Sequence, residues 1–116
     1  MNNSQKIYDM KLNDEPFRSI KSGAKTVEMR LNDERRKGIS VGDRIVFSHR
    51  ESGDTLLVDV IGVRAYDSFD SLYRDYDKLR LGYAQDEAAS PSDMLAYYTE
   101  EQIARYGVLA IEVKLV

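Results

Sequence analysis

The chain has no cysteine, which excludes disulfide partners and thiol chemistry. It has one histidine, His49, whereas structural and catalytic zinc sites draw on several His or Cys ligands. No metal and no other cofactor is therefore expected, with a carboxylate-bound magnesium the one exception the composition leaves open. No window reaches the roughly 18 apolar residues of a membrane span, and Met1–Gln5 lacks the apolar core of a signal peptide. The expectation is a cytoplasmic protein with no membrane partner. Internal repeats and low-complexity linkers are also missing, and 116 residues suit a single domain, 1–116. A chain of that length buries roughly two thirds of its unfolded surface.

What is present is a hydrophobic fraction of 42% beside 32% charged residues, the balance of an ordinary globular chain. The net charge of −3 is unevenly spread. Residues 18–50 hold nine Lys or Arg against four acids, a balance of +5 that leaves −8 for the rest. A basic third beside an acidic remainder suits a local anionic ligand better than long non-specific wrapping of nucleic acid.

Period-two patterns and turn residues divide the chain. Ile7–Leu12 reads as a strand. Asn13 or Asp14 can cap a helix that carries Phe17 and Ile20 and ends at Gly23. With the segment that follows, this forms a short βαβ-like opening. Arg44–Arg50 reads as a strand with Ile45 and Phe47 inward, and Glu51–Asp54 as a hairpin loop. Thr55–Ala65 returns as a long strand in which Gly62 marks a bulge or a close backbone approach. Ser68 can cap a helix bearing Phe69, Leu72, Tyr73 and Tyr76 on one face. Leu79–Ala89 is irregular and loop-like, and Ser90 and Thr99 each start a helix with an acid or amide three residues on. Gly107 stops the last helix, and Val108–Val116 alternates as a closing strand. Five strands and three or four short helices in this order fit an α+β domain whose sheet curls into a small, partly open barrel.

The chemistry concentrates in Gly23-Ala-Lys25-Thr-Val-Glu28-Met-Arg30. In a strand, Val27 and Met29 would face the core while Glu28 and Arg30 share the other face. That spacing alone fits a solvated Glu/Arg pair worth little, a fold-holding ion pair, or a site. The run Asn32–Gly38 reads either as a solvated connection or, through Arg35 and Arg36, as a basic lip suited to phosphate. Tyr66, just before the Ser68 cap, is a candidate cleft residue.

Gly23-x-Lys25-x-x-Glu28-x-Arg30 followed by Val41-Gly42-Asp43 resembles the GxKxxExR signature and VGD turn of ASCH domains, relatives of the PUA RNA-binding fold. The likeness runs from Met10-Lys11-Leu12 to Tyr106-Gly107-Val108. It implies a PUA-like barrel whose cleft takes RNA or a modified nucleoside. Lys25, Glu28 and Arg30 would line that cleft with Arg35 and Arg36 at its rim, and Tyr66, from its place before the Ser68 cap, is a further ligand-binding candidate. Some small ASCH proteins are N4-acetylcytidine amidohydrolases that use the signature lysine, a threonine three residues after it and a glutamate before the penultimate helix. Carried over, these are Lys25, Glu28 in the threonine's place, and Glu87. The implied alternative to binding is thus an amidohydrolase in which Glu28 activates water, Lys25 steadies the oxyanion and Glu87 protonates the leaving amine.

Overall fold

In the computed structural model, which describes residues 4–116, the alternating runs become five strands of one sheet. They are β1 (Ile7–Leu12), β2 (Val27–Leu31), β3 (Arg44–His49), β4 (Thr55–Tyr66) and β5 (Val108–Leu115). Helices α1 (Asp14–Ser22), α2 (Phe69–Asp75), α3 (Lys78–Leu81) and α4 (Glu100–Tyr106), with a 3₁₀ helix over Pro91–Ala96, join them. The sheet order is β1-β3-β4-β5-β2, parallel between β1 and β3 and antiparallel elsewhere. The sheet curls into a half-barrel with β1 and β2 as its two free edges.

That order corrects the expected βαβ opening, because β1 and β2 do not adjoin. β1 finds its parallel neighbour in β3, where Tyr8 lies opposite Ile45 and Met10 opposite Phe47. β2 lies against β5, where Met29 faces Ala110 and Leu31 faces Val108. Both pairings align apolar residues that would otherwise stay wet, which is what fixes register. Helix α1 therefore carries the chain from one edge of the sheet to the other.

Two cores result. On the concave face Met10, Leu12, Phe17, Ile20, Ile45, Phe47, Val58, Leu109 and Ile111 pack together. On the other, Val27, Met29 and Leu31 pack under Phe69, Leu72, Tyr76, Leu81 and Met94. Glu28 and Arg30 are opposite Ile111 and Leu109, so they share the concave face with those apolar neighbours. The alternation read from the sequence holds, yet neither face of β2 meets bulk water.

The bulge in β4 falls between Val60 and Gly62. A Cβ at Gly62 would come within 2.7 Å of Glu112 Cδ, so the glycine makes room for a side chain of β5. Past Val60, which is buried, the bulge leaves Ile61 half exposed. The VGD turn is held by Asp43, whose buried carboxylate accepts from Lys6 N at 3.1 Å and Ser40 N at 2.9 Å. His49 is also structural. Its Nδ1 accepts the N–H groups of Glu51 and Ser52 (3.0 and 3.1 Å), which leaves Nε2 to donate to Asp14 Oδ1 at 2.9 Å. That bond, with the charge of Arg18, holds the Asp14 carboxyl below its ordinary range.

Candidate functional site

Gly23 ends α1 in the left-handed region (φ 87°), its N–H donating to Ile20 O at 3.0 Å. The chain then turns so that Lys25 N donates to Ser19 O at 3.1 Å before β2 begins. This turn brings Lys25 over the concave end of the strand. Its Nζ lies 3.0 Å from Glu28 Oε1, while Arg30 Nε lies 2.7 Å from Glu28 Oε2. The side chains are 11%, 5% and 11% exposed for Lys25, Glu28 and Arg30, so this is a largely buried triad of net charge +1, unlike a surface pair. Burial alone would raise the Glu28 carboxyl, and the charges of Lys25 and Arg30 overcome it, leaving the group below its ordinary range and ionised at neutral pH.

Two further features fix the triad. Arg30 Nη2 donates to Lys11 O, 2.9 Å away on β1, and so spans the gap between the sheet edges. Gly82, at φ 107°, lies where a Cβ would come within 3.0 Å of Lys25 Cδ, so the lysine stem packs on bare backbone.

The triad borders a cavity of about 620 Å³. Lys11 and Leu12 of β1 line one side and Glu28, Met29 and Arg30 of β2 the other, with Asn13 and Pro16 at the start of α1. The segment 81–98 completes the walls through Leu81, Tyr83, Met94 and Tyr98. A volume of that order is usual for a small-molecule pocket. Buried cations with their remaining N–H donors directed to a cavity favour a ligand offering carbonyl oxygens, ring nitrogens or phosphate.

Of the residues singled out from sequence, Lys25, Glu28, Arg30, Arg36 and Glu87 line this one cavity. Arg36 is half-buried and tied to Asp33 Oδ2 at 2.8 Å. Glu87 is exposed, with Oε1 accepting from Ala84 N at 2.6 Å. Its carbonyl accepts from Lys78 Nζ. Arg35 and Tyr66 lie elsewhere. Arg35 is exposed in the turn after β2. Tyr66 is opposite Val108 at the far end of β4 and borders a separate, smaller cavity beside Arg105 and Gly107. Its hydroxyl donates to Asp75 Oδ2 at 2.8 Å.

Sequence reasoning missed Lys11, Arg50, Tyr83, Asp93, Tyr97 and Tyr98, all of which line the cavity. Tyr98 follows the 3₁₀ helix. It stacks on Phe69 (ring centroids 6.2 Å apart, 14° between planes), and burial first, with the nearby Glu28 charge, raises its hydroxyl pKa against the opposing effect of Arg30. Tyr83 hydroxyl donates to Asp93 Oδ2 at 2.8 Å and lies 2.7 Å from the Tyr73 hydroxyl. This chain ties segment 81–98 to α2, and burial pushes the Tyr83 pKa strongly up. Among the described residues, neither Lys11 nor Arg50 is paired with a carboxylate. No group of three His, Cys, Asp or Glu side chains among the described residues is arranged to hold a metal, and no described helix is long and apolar enough to cross a membrane.

The ASCH domain family model matches residues 10–116. The crystal structure of the hypothetical protein PH0355 superposes with a TM-score of 0.79 at 33% identity, over 95% of this chain and 99% of that one. The solution structure of protein PF0455 from Pyrococcus furiosus gives 0.67 at 33% identity, over 95% and 97%. The ASCH crystal structure from Zymomonas mobilis gives 0.66 at 18% identity, over 94% of this chain and 67% of that one, a likeness of fold. No curated protein matches the chain.

Proposed function

The chain belongs to the ASCH domain family, and on that premise we propose that its cavity binds a nucleoside, free and modified or within single-stranded RNA, in the cytoplasm. The observation that carries this reading is the buried Lys25–Glu28–Arg30 triad bordering a cavity of about 620 Å³. The two cations present donors to the acceptor atoms of a base, while Tyr83, Tyr97 and Tyr98 offer aromatic walls to its face. Arg36, Lys11 and Arg50 add positive charge for a phosphate, with Arg35 outside the cavity as a further contact for a longer strand.

Thermal shift with cytidine, N4-acetylcytidine, other modified nucleosides and a short single-stranded RNA tests the reading, since a ligand of the native state raises the melting point by mass action. A concentration-dependent rise with at least one nucleoside or with the RNA is expected. A flat melting point across the panel at moderate and low salt overturns it.

A second reading, hydrolysis of N4-acetylcytidine, rests on Lys25, Glu28 and Glu87 bordering the same cavity. Water attacks the acetyl carbon, and the Lys25 ammonium stabilises the oxyanion. A carboxylate held low is a weak base, which leaves Glu28 to position Lys25. Glu87 takes the proton of the attacking water and delivers it to the N4 nitrogen as the C–N bond breaks, giving acetate and cytidine. Release of cytidine by the wild type and its loss in Glu87→Gln supports this; no release at high protein concentration rejects it.

A further inference from the structure

Met29 buries its side chain in the second core, yet it also lines the cavity. The β2–β5 ladder shows what its main chain does. Val113 N donates to Thr26 O at 2.9 Å, and Asn32 N donates to Gly107 O at 3.0 Å. With the antiparallel register running from Val27 opposite Glu112 to Leu31 opposite Val108, these bonds mark both ends of the ladder as hydrogen-bonded pairs. Bonded and non-bonded pairs alternate along such a ladder. Glu28/Ile111 and Arg30/Leu109 are therefore the bonded pairs, and Met29/Ala110 is a non-bonded one.

In a non-bonded pair each residue's N–H and C=O point away from the partner strand. For Met29, away from β5 is toward the gap between β2 and β1, where no strand pairs. Among the described residues, nothing else accepts from its N–H or donates to its carbonyl. Unpaired main-chain groups of this kind are uncommon away from solvent, and Met29 lines the cavity beside the triad.

We propose that the Met29 N–H and C=O read the donor–acceptor edge of a nucleobase, accepting from an exocyclic amino or acylamino N–H and donating to the neighbouring ring nitrogen or carbonyl. This deepens the nucleoside reading and rests on it. Lys25 and Arg30 supply only donors, and each Glu28 oxygen already accepts from one of them, so a ligand N–H is better met by a neutral acceptor outside the triad. Cytosine, with an amino group beside ring N3, carries the complementary edge. The same main-chain groups could in principle pair with a peptide strand. Against that, Arg30 crosses the gap to Lys11 O, and segment 81–98 walls the cavity, leaving space for a compact planar ligand rather than an added strand.

The test is amide hydrogen exchange by NMR with cytidine as the probe. In the free protein the Met29 amide should exchange much faster than those of Glu28 and Arg30, which bond to β5. Saturating cytidine should slow Met29 at least about tenfold, the effect of gaining one hydrogen bond. Replacing the Met29 amide by an ester, which keeps the side chain, removes the N–H and weakens the Glu28 carbonyl as an acceptor for Ile111, should weaken cytidine binding about tenfold and lower the melting point only slightly. Cytidine that shifts the Lys25 and Arg30 resonances without slowing Met29, or an ester that binds as well as the amide, overturns this inference and leaves the nucleoside reading standing. Cytidine and other nucleosides that shift no cavity resonance remove both. Protection of Met29 by an extended peptide and not by cytidine overturns the inference in favour of strand addition.

Discussion

The guanidinium of Arg30 joins the two free edges of the half-barrel, reaching Lys11 O at 2.9 Å with one nitrogen while another holds Glu28 at 2.7 Å. A planar fork can serve both acceptors at once, whereas a single ammonium cannot. Arg30→Lys should keep the charge beside Glu28 and lose the bridge. The expected cost is about 1 kcal/mol, one hydrogen bond, or a fall of roughly 4 °C in the melting temperature, read by thermal denaturation.

Removing Glu28 should cost more, because it leaves two buried cations facing each other. Glu28→Ala is expected to destabilise by about 3 kcal/mol, the lower end for breaking a buried pair, since Lys25 and Arg30 retain some access to the cavity. The pH dependence follows from the lowered carboxyl. A depressed folded-state pKa contributes stability that is fully present above the unfolded value, roughly 4.3, and is lost as pH falls through the folded value. Chemical denaturation from about pH 7 to 3 should therefore show the gap between wild type and Glu28→Gln constant near neutrality and narrowing below about pH 4. A gap that widens on acidification would contradict the ionised triad.

Gly82→Ala tests the seat of Lys25. The substitution puts a side chain at φ 107° and a Cβ 3.0 Å from Lys25 Cδ. The backbone cost should be about 1–2 kcal/mol, and the displaced lysine should weaken nucleoside binding beyond what the lost stability explains. Affinity equal to wild type for the folded variant would show that Lys25 is not held by this contact.

Tyr83→Phe removes the bond to Asp93 within segment 81–98 and the link from that segment to Tyr73 of α2. Loss of one hydroxyl shared between two partners should cost about 1–2 kcal/mol and speed amide exchange over residues 82–93, with faster ligand dissociation in stopped-flow measurements.

The sequence carried the strands well, because period-two runs bounded by Gly23, Gly53 and Gly107 leave few alternatives. Gly62 also announced the bulge, since a lone glycine in a strand of β-branched residues has few other uses. What it did not carry was the pairing of β2 with β5 across the chain, a long-range choice that local pattern does not encode. From that pairing follow the burial of Glu28 and Arg30 and the open edge at Met29. Lys25, Glu28 and Arg30 were legible because their offsets place them on one short stretch. Lys11, Arg50 and Tyr98 were not, because they converge from β1, the β3–β4 hairpin and the end of the 3₁₀ segment. Tyr66 was misplaced for the same reason: proximity in sequence to α2 says nothing of which end of the half-barrel it occupies.

Calorimetric titration of wild type and Lys25→Ala with cytidine, N4-acetylcytidine and a short single-stranded RNA tests the central claim most directly. The wild type should give saturable binding with at least one of them. Lys25→Ala, in which Arg30 still neutralises Glu28, should stay folded and bind at least about tenfold more weakly, the loss of one charged hydrogen bond. Equal affinity in both proteins, or no binding by the wild type to any of the three, would contradict the account.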